Sequence, residues 1–282
     1  MPPTPDRSDS ADEHVKPYVH ECDKARALHF SINEIQSRMR LADPDALDLE
    51  YTRTMMGFLL FNAEPQDITM IGLGGGSLVK FCHRHLPLAR IRVVEINPHV
   101  IALREAFHVP PDGARLRVLC GDGARFVRER RGTCDVLMVD GFDSEGMPSQ
   151  LASRRFYDDC REMLAPEGIL VVNLHAGHAR YDIHLDRIGR SFDDAVLAVE
   201  DAQRSNGVVF AFKSSGFAAN RSAMLRRPKN LPAEAAVQLQ SAFDAVAMAL
   251  RSSTFNPPSA IGGDAIGERR VAAPHTRRRN PI

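Results

Sequence analysis

The chain has no surplus charge of either sign. Lys plus Arg and Asp plus Glu both number 36 in 282 residues, so no overall field draws it to nucleic acid or to a membrane surface. Partners must therefore be argued from a site. Cysteine is scarce and unpatterned. Cys22, Cys82, Cys120, Cys134 and Cys160 are odd in number and never form a CxxC pair, which speaks against a disulfide framework or a zinc site and for buried, reduced thiols in a cytosolic protein. No apolar run reaches the roughly 18 residues needed to cross a bilayer. The opening Met1-Pro2-Pro3-Thr4-Pro5-Asp6 lacks the apolar centre of a signal peptide, and no internal repeat is evident. The expectation is a soluble cytoplasmic protein with no metal, no nucleic acid and no membrane among its partners. Its 44% hydrophobic content is enough for one good core.

The informative stretch runs from Asp67 to Asp143. Ile68-Thr69-Met70-Ile71 leads into Gly72-Leu73-Gly74-Gly75-Gly76-Ser77 and then into the helix-like Leu78 to His85. That is strand, tight turn and helix. Glycines there allow positive φ and close approach of a ligand, and the helix start offers unpaired N–H groups. A second apolar run, Ile91-Arg92-Val93-Val94, ends in Glu95, 19 residues after Gly76. An acid at the tip of the second strand of a doubly wound α/β sheet is placed to accept ribose hydroxyls. Leu116 to Cys120 then delivers Gly121-Asp122-Gly123, and Cys134 to Val139 delivers Asp140-Gly141-Phe142-Asp143. Four strand ends are expected to converge on one crevice suited to an S-adenosyl ligand, although Glu95 alone does not exclude NAD.

In chain order, residues 1–16 read as disordered from their Pro, Ser and Asp content. Residues 17–62 read as a small N-terminal β-hairpin or meander followed by a linking helix from Glu50 to Asn62. Residues 63–213 read as a Rossmann-like domain. Within it, Ser153 to Leu164 is predicted helical, closing at Ala165-Pro166-Glu167-Gly168 before an apolar strand from Ile169 to Leu174. A helix from Ile183 to Phe192 and a closing strand pair, Ala195–Val199 and Val208–Phe212, complete it. Residues 214–252 read as a helical extension, with an amphipathic helix from Leu231 to Leu250, and residues 253–282 as a disordered basic tail.

Each candidate has an ordinary structural reading. Any tight βα turn can use glycines. Asp140 could cap the next segment, and Asp143-Ser144 could form a turn. Two carboxylates three residues apart beside a nucleoside pocket could also hold a cationic amine and collect its proton. His83, His85 and His99 read as surface or packing residues, and Met55 and Met56 as core. His175, just beyond a strand end, is the histidine to watch.

The glycine turn, Val93-Val94-Glu95-Ile96-Asn97-Pro98, Gly121-Asp122-Gly123, the run from Asp135 to Asp143, and Phe156-Tyr157 resemble the spermidine synthase family of polyamine aminopropyltransferases across about residues 27 to 213. Gln36 and Glu50-Tyr51 fall where that family places a glutamine and a tyrosine. The resemblance implies a seven-stranded, mostly parallel sheet of the class I S-adenosylmethionine type. It implies decarboxylated S-adenosylmethionine or S-adenosylmethionine as co-substrate, a small-molecule amine as acceptor, and a possible homodimer. Gly72, Gly74 and Gly76 would pass under the thioether tail, Glu95 would hold the ribose, and Asp122, with Gly123 beside it, would face the adenine. Gln36 would join the donor site. Asp140 would accept the amine proton, with Tyr51 and Asp143 binding the amine. The first turn lacks the acid of the family's usual Gly-Gly-Gly-Asp-Gly-Gly, Asp-Ser-Thr-Asp-Pro is here Asp140-Gly141-Phe142-Asp143-Ser144, and Arg53 would repel a polycation if it faced the site. The leading expectation is aminopropyl transfer to an amine such as putrescine. The alternatives are an S-adenosylmethionine-dependent methyltransferase and a non-catalytic adenosyl-binding module.

Overall fold

Antiparallel pairing builds the first part of the chain and mostly parallel pairing the rest. The computed structural model describes residues 14–31, 34–142, 146–201, 205–213, 225, 228 and 230–252. Of the residues 1–16 expected to be disordered, 1–13 lie outside the described residues, as do the tail from 253 onward and Asp143. β1 (Tyr18–Glu21), β2 (Ala25–Ser31) and β3 (Glu34–Arg40) form a three-stranded antiparallel meander in that order. Its inward residues Leu28 and Met39 join the main core. α1 (Glu50–Met55) runs through a 3-10 turn, Met56–Leu60, toward β4 (Asp67–Ile71).

From β4 the chain alternates. α2 (Ser77–His85), β5 (Arg90–Glu95), α3 (Pro98–Ala102), β6 (Leu116–Cys120), α4 (Gly123–Arg128), β7 (Cys134–Val139), α5 (Arg154–Met163) and β8 (Leu164–Leu174) follow in turn. α6 (Tyr181–Ser191), β9 (Val196–Glu200), β10 (Gly207–Phe212) and α7 (Ala233–Ser252) complete the described chain. The seven-stranded sheet has the order β6-β5-β4-β7-β8-β10-β9, with β10 antiparallel to both neighbours. The first four parallel strands run outward from β4 in both directions, so the strand order reverses beside it, and ligands of such sheets sit at that reversal.

Side-chain alternation explains why the central strands are apolar throughout. Val136 and Met138 of β7 face one core with α1, α2 and α7, while Leu137 and Val139 face the other with α4, α5 and α6. Both faces are covered, so neither set can be polar. Phe210 of β10 is fully buried, and its truncation to Ala would cost about 3–5 kcal/mol.

Two expectations need correction. β8 begins at Leu164, so Ala165-Pro166-Glu167-Gly168 lies inside the strand rather than closing a helix. The register against β7 jumps from Cys134↔Leu164 to Val136↔Ile169, and Glu167 takes a positive φ of 63°. Pro166 has no N–H to give a ladder, and an irregularity removes that demand. The thiols are not all buried either. Cys82, Cys134 and Cys160 are, but Cys22, at the β1–β2 turn, and Cys120, ending the edge strand β6, are exposed. Among the described residues no helix is long and apolar enough to cross a membrane.

Candidate active site

After Ile71 the chain must reverse before α2 starts at Ser77. Gly72, Gly74 and Gly76 do this with φ of 97°, 51° and 69°. A Cβ on Gly72 would lie 2.2 Å from the Asp140 carbonyl oxygen, so the first turn and the end of β7 can approach only because residue 72 has no side chain. Gly76 serves a different purpose. It precedes α2, a Cβ there would strike Val109 at 2.3 Å, and it does not line the cavity.

Beyond the turn lies a cavity of about 570 Å³, within the ~300–1,000 Å³ usual for small-molecule sites. Its wall includes Gln36, Tyr51, Gly72, Gly74, Glu95, Asp122, Gly123 and Asp140. Gln36 comes from β3, whose neighbouring Ser37 is buried against the glycine turn. The meander thereby closes one side of the crevice.

Glu95 ends β5 and is 8% exposed. Its Oε2 accepts the Leu73 N–H and its Oε1 the Asn97 N–H, both at 2.8 Å. Burial raises its pKa above the ordinary carboxylate value, and those backbone donors pull it back. The carboxylate is thus held by backbone N–H groups of the turn and of the segment after β5, on the cavity wall. Asp122 caps α4, its Oδ1 accepting from Ala124 N–H at 2.7 Å and Arg125 N–H at 3.3 Å. Oδ2 has no protein donor among the described residues. One oxygen caps α4, and the residue also lines the cavity.

Asp140 follows β7 directly. Its Oδ2 accepts from the Tyr51 hydroxyl at 3.2 Å and its Oδ1 from Asn173 Nδ2 at 3.0 Å. Burial raises the Asp140 pKa, moderated by those two donors. Burial, and then the charge of Asp140, holds the Tyr51 phenol well above its usual pKa. Tyr51 therefore stays protonated at neutral pH and donates. Of the pair, Asp140 is the hydrogen-bond acceptor.

Asn173 was missed in the sequence. It lies in β8, 3% exposed and on the cavity wall, and its Oδ1 has no hydrogen-bond partner among the described residues. The signal was present: it is the single polar residue in Ile169–Leu174. Arg53 does not face the site. Its Nη1 donates to the Leu47 carbonyl at 2.6 Å and the Asp48 carbonyl at 2.9 Å, and it is absent from the cavity wall. His175 does reach the wall, its ring stacked on Phe142 at 4.5 Å and 15°. Met55 and Met56 are fully buried core. Among the described residues no three of His, Cys, Asp and Glu gather as metal ligands would.

This sheet order, with a glycine turn and acids at successive strand ends around one cavity, defines the class I S-adenosylmethionine-type transferase fold. A family model described as the spermine/spermidine synthase domain matches residues 48–184. A polyamine aminopropyltransferase of Chromobacterium violaceum is 38% identical over 214 residues, covering 76% of this chain and 82% of that protein. One of Neisseria meningitidis serogroup B is 40% identical over 199 residues, 70% of this chain and 76% of the relative. The crystal structure of a probable spermidine synthase from Corynebacterium glutamicum superimposes with a TM-score of 0.61 at 20% identity, over 74% of this chain and 81% of that one. At that identity the structural likeness speaks for the fold alone. The chain belongs to the spermine/spermidine synthase family of polyamine aminopropyltransferases, and it is a transferase.

Proposed function

We propose that the chain transfers the aminopropyl group of decarboxylated S-adenosylmethionine to a small amine. The observation that carries this reading is the Tyr51–Asp140–Asn173 cluster. It is a desolvated carboxylate held by two donors on the wall of a nucleoside-sized cavity. In this reading Gln36, Gly72, Gly74, Glu95, Asp122 and Gly123 hold the donor. Gly76 sets the turn rather than touching the ligand. The acceptor nitrogen loses its proton to Asp140 and forms a bond to the methylene beside the sulfonium. The carbon–sulfur bond breaks with its electron pair passing to sulfur, and methylthioadenosine leaves. A raised Asp140 pKa brings the base closer to neutral pH than an ordinary carboxylate, which favours proton transfer. The remaining contribution is alignment of the two reactants. The unpartnered Asn173 Oδ1 offers the acceptor amine a hydrogen-bond acceptor. Asp143 joins the amine site on the family resemblance alone, as does assembly into a homodimer, which sedimentation velocity would test. A cytoplasmic location rests on the three buried free thiols.

One observation favours methyl transfer from ordinary S-adenosylmethionine as a second reading. The turn from Gly72 to Ser77 contains no carboxylate to meet the donor's tail ammonium. Calorimetry with both donors, and product analysis with putrescine, separates the two. Tighter binding of the decarboxylated form and release of methylthioadenosine are expected. Equal or better binding of the ordinary form, with methylated product and no methylthioadenosine, would replace the first reading with the second.

A further inference from the structure

Part of the crevice wall comes from outside both sheets. His14 stands four residues before β1 and lines the same cavity as Gly74, Glu95 and Asp122. Its orientation is the reverse of what hydrophobic burial selects. The Nε2 atom is enclosed, whereas the next side chain, Val15, is 53% exposed. A segment held by apolar packing alone would turn the valine inward and leave the imidazole in water. Nε2 also has no hydrogen-bond partner among the described residues. Polar atoms removed from water are nearly always paired, so an unpaired one on a cavity wall marks a place for a ligand atom.

One side chain ties this segment to the glycine-turn side of the crevice. Asn97 Nδ2 donates to the Val15 carbonyl at 2.8 Å. The same residue caps α3, its Oδ1 accepting the His99 N–H at 3.0 Å, and its backbone N–H donates to Glu95 Oε1 at 2.8 Å. Asn97 thereby fixes both the backbone beside His14 and the carboxylate of Glu95. The two side chains are close enough to influence each other. Burial raises the Glu95 pKa; the backbone N–H groups of Asn97, Leu73 and Ile96 lower it, and so does the positive charge of a protonated His14.

The chemistry of a ribose explains why an imidazole belongs beside that carboxylate. Each ribose hydroxyl is donor and acceptor at once, but an ionised carboxylate only accepts. A hydroxyl that donates to Glu95 still has lone pairs to satisfy, and an imidazole N–H can supply the donor.

We infer that His14 is a further residue of the donor site, its Nε2 hydrogen-bonding a ribose hydroxyl of the adenosyl ligand alongside Glu95. This rests on the adenosyl-donor reading of the crevice and holds for aminopropyl and methyl transfer alike, since both donors carry the same ribose. The segment before β1 is then part of the binding site rather than only an approach to the meander.

The test is calorimetry of the full chain with methylthioadenosine and with its 2′-deoxy and 3′-deoxy analogues. His14→Ala should weaken binding of methylthioadenosine about tenfold, the worth of one hydrogen bond. For the analogue that lacks the contacted hydroxyl the loss should shrink below about twofold, because the partner is already gone. Which analogue shows this identifies the hydroxyl. His14→Gln, whose amide can bring a donor to the place of Nε2, should recover affinity to within about threefold of wild type. Affinity unchanged in His14→Ala, or reduced equally for all three nucleosides, would overturn the proposal and leave the adenosyl site standing. A wild type that binds none of the three would overturn the adenosyl reading itself, and the role of His14 with it.

Discussion

The two halves of the crevice are built differently. The half proposed to hold the donor is made where strands end: the turn after β4, Glu95 ending β5, and Asp122 capping α4. Its functional atoms are fixed by backbone within a few residues, and Glu95 is held by the N–H groups of Leu73 and Asn97. The acceptor half is assembled from side chains far apart in sequence. Tyr51 and Asp140 are 89 residues apart, and Asp140 and Asn173 are 33 apart. The first design is insensitive to what surrounds it. The second can change by exchanging a few side chains. If this division is functional, substitutions in one half should leave the other half's parameter untouched.

The largest effect is expected from Asp140→Asn. The amide keeps the volume and can still meet Asn173 and Tyr51, but it cannot take a proton, so kcat should fall by about 100- to 10,000-fold. Calorimetric affinity for methylthioadenosine should stay close to wild type. An equal loss of affinity would mean that Asp140 serves the donor, and the two halves would merge. The converse experiment is Glu95→Gln. One carboxylate oxygen becomes an NH2 facing a backbone N–H, so donor binding should weaken by about 10- to 100-fold, the equivalent of ~1.5–3 kcal/mol for lost charge-assisted hydrogen bonds. At saturating donor, kcat should largely recover, and a persistent loss would break the comparison from the other side.

Tyr51→Phe should lower kcat by about tenfold and carries a pH signature with a definite sign. In the proposed mechanism the reaction needs ionised Asp140, so activity should fall as pH drops through its pKa. Burial has raised that pKa, and the Tyr51 hydrogen bond lowers it. Without the hydroxyl the acid limb of kcat/KM should move to higher pH, and in Asp140→Asn that limb should vanish. A limb moving to lower pH would contradict the donor role of Tyr51.

The same division explains what could be read from the chain. The glycine turn, the acids at strand ends and the sheet itself follow from local patterns, apolar runs broken by Gly and Asp at fixed offsets. The partnership of Asn173 with Asp140 follows from the adjacency of β7 and β8, and a strand read as continuous apolar sequence concealed it. The exposure of Cys120 depends on β6 being an edge strand, a property of sheet order rather than of Leu116–Cys120. The early start of β8 was obscured because Pro166 and Gly168 carry the signals of a helix end, while the sheet tolerates them in an irregular segment.

Arg53 gives the smallest and most discriminating effect. Two residues along a helix are separated by about 200° around its axis, so with Tyr51 on the crevice wall Arg53 points away from it. Its guanidinium is tied to the carbonyls of Leu47 and Asp48, so its charge acts on the chain entering α1. Arg53→Gln should therefore cost about 1 kcal/mol of stability through lost hydrogen bonds to a charged group, seen as a lower midpoint in thermal unfolding. The KM for any amine acceptor should shift by less than about twofold, a change under ~0.5 kcal/mol. A KM for diamines that fell about tenfold in Arg53→Gln would show its field reaching the acceptor.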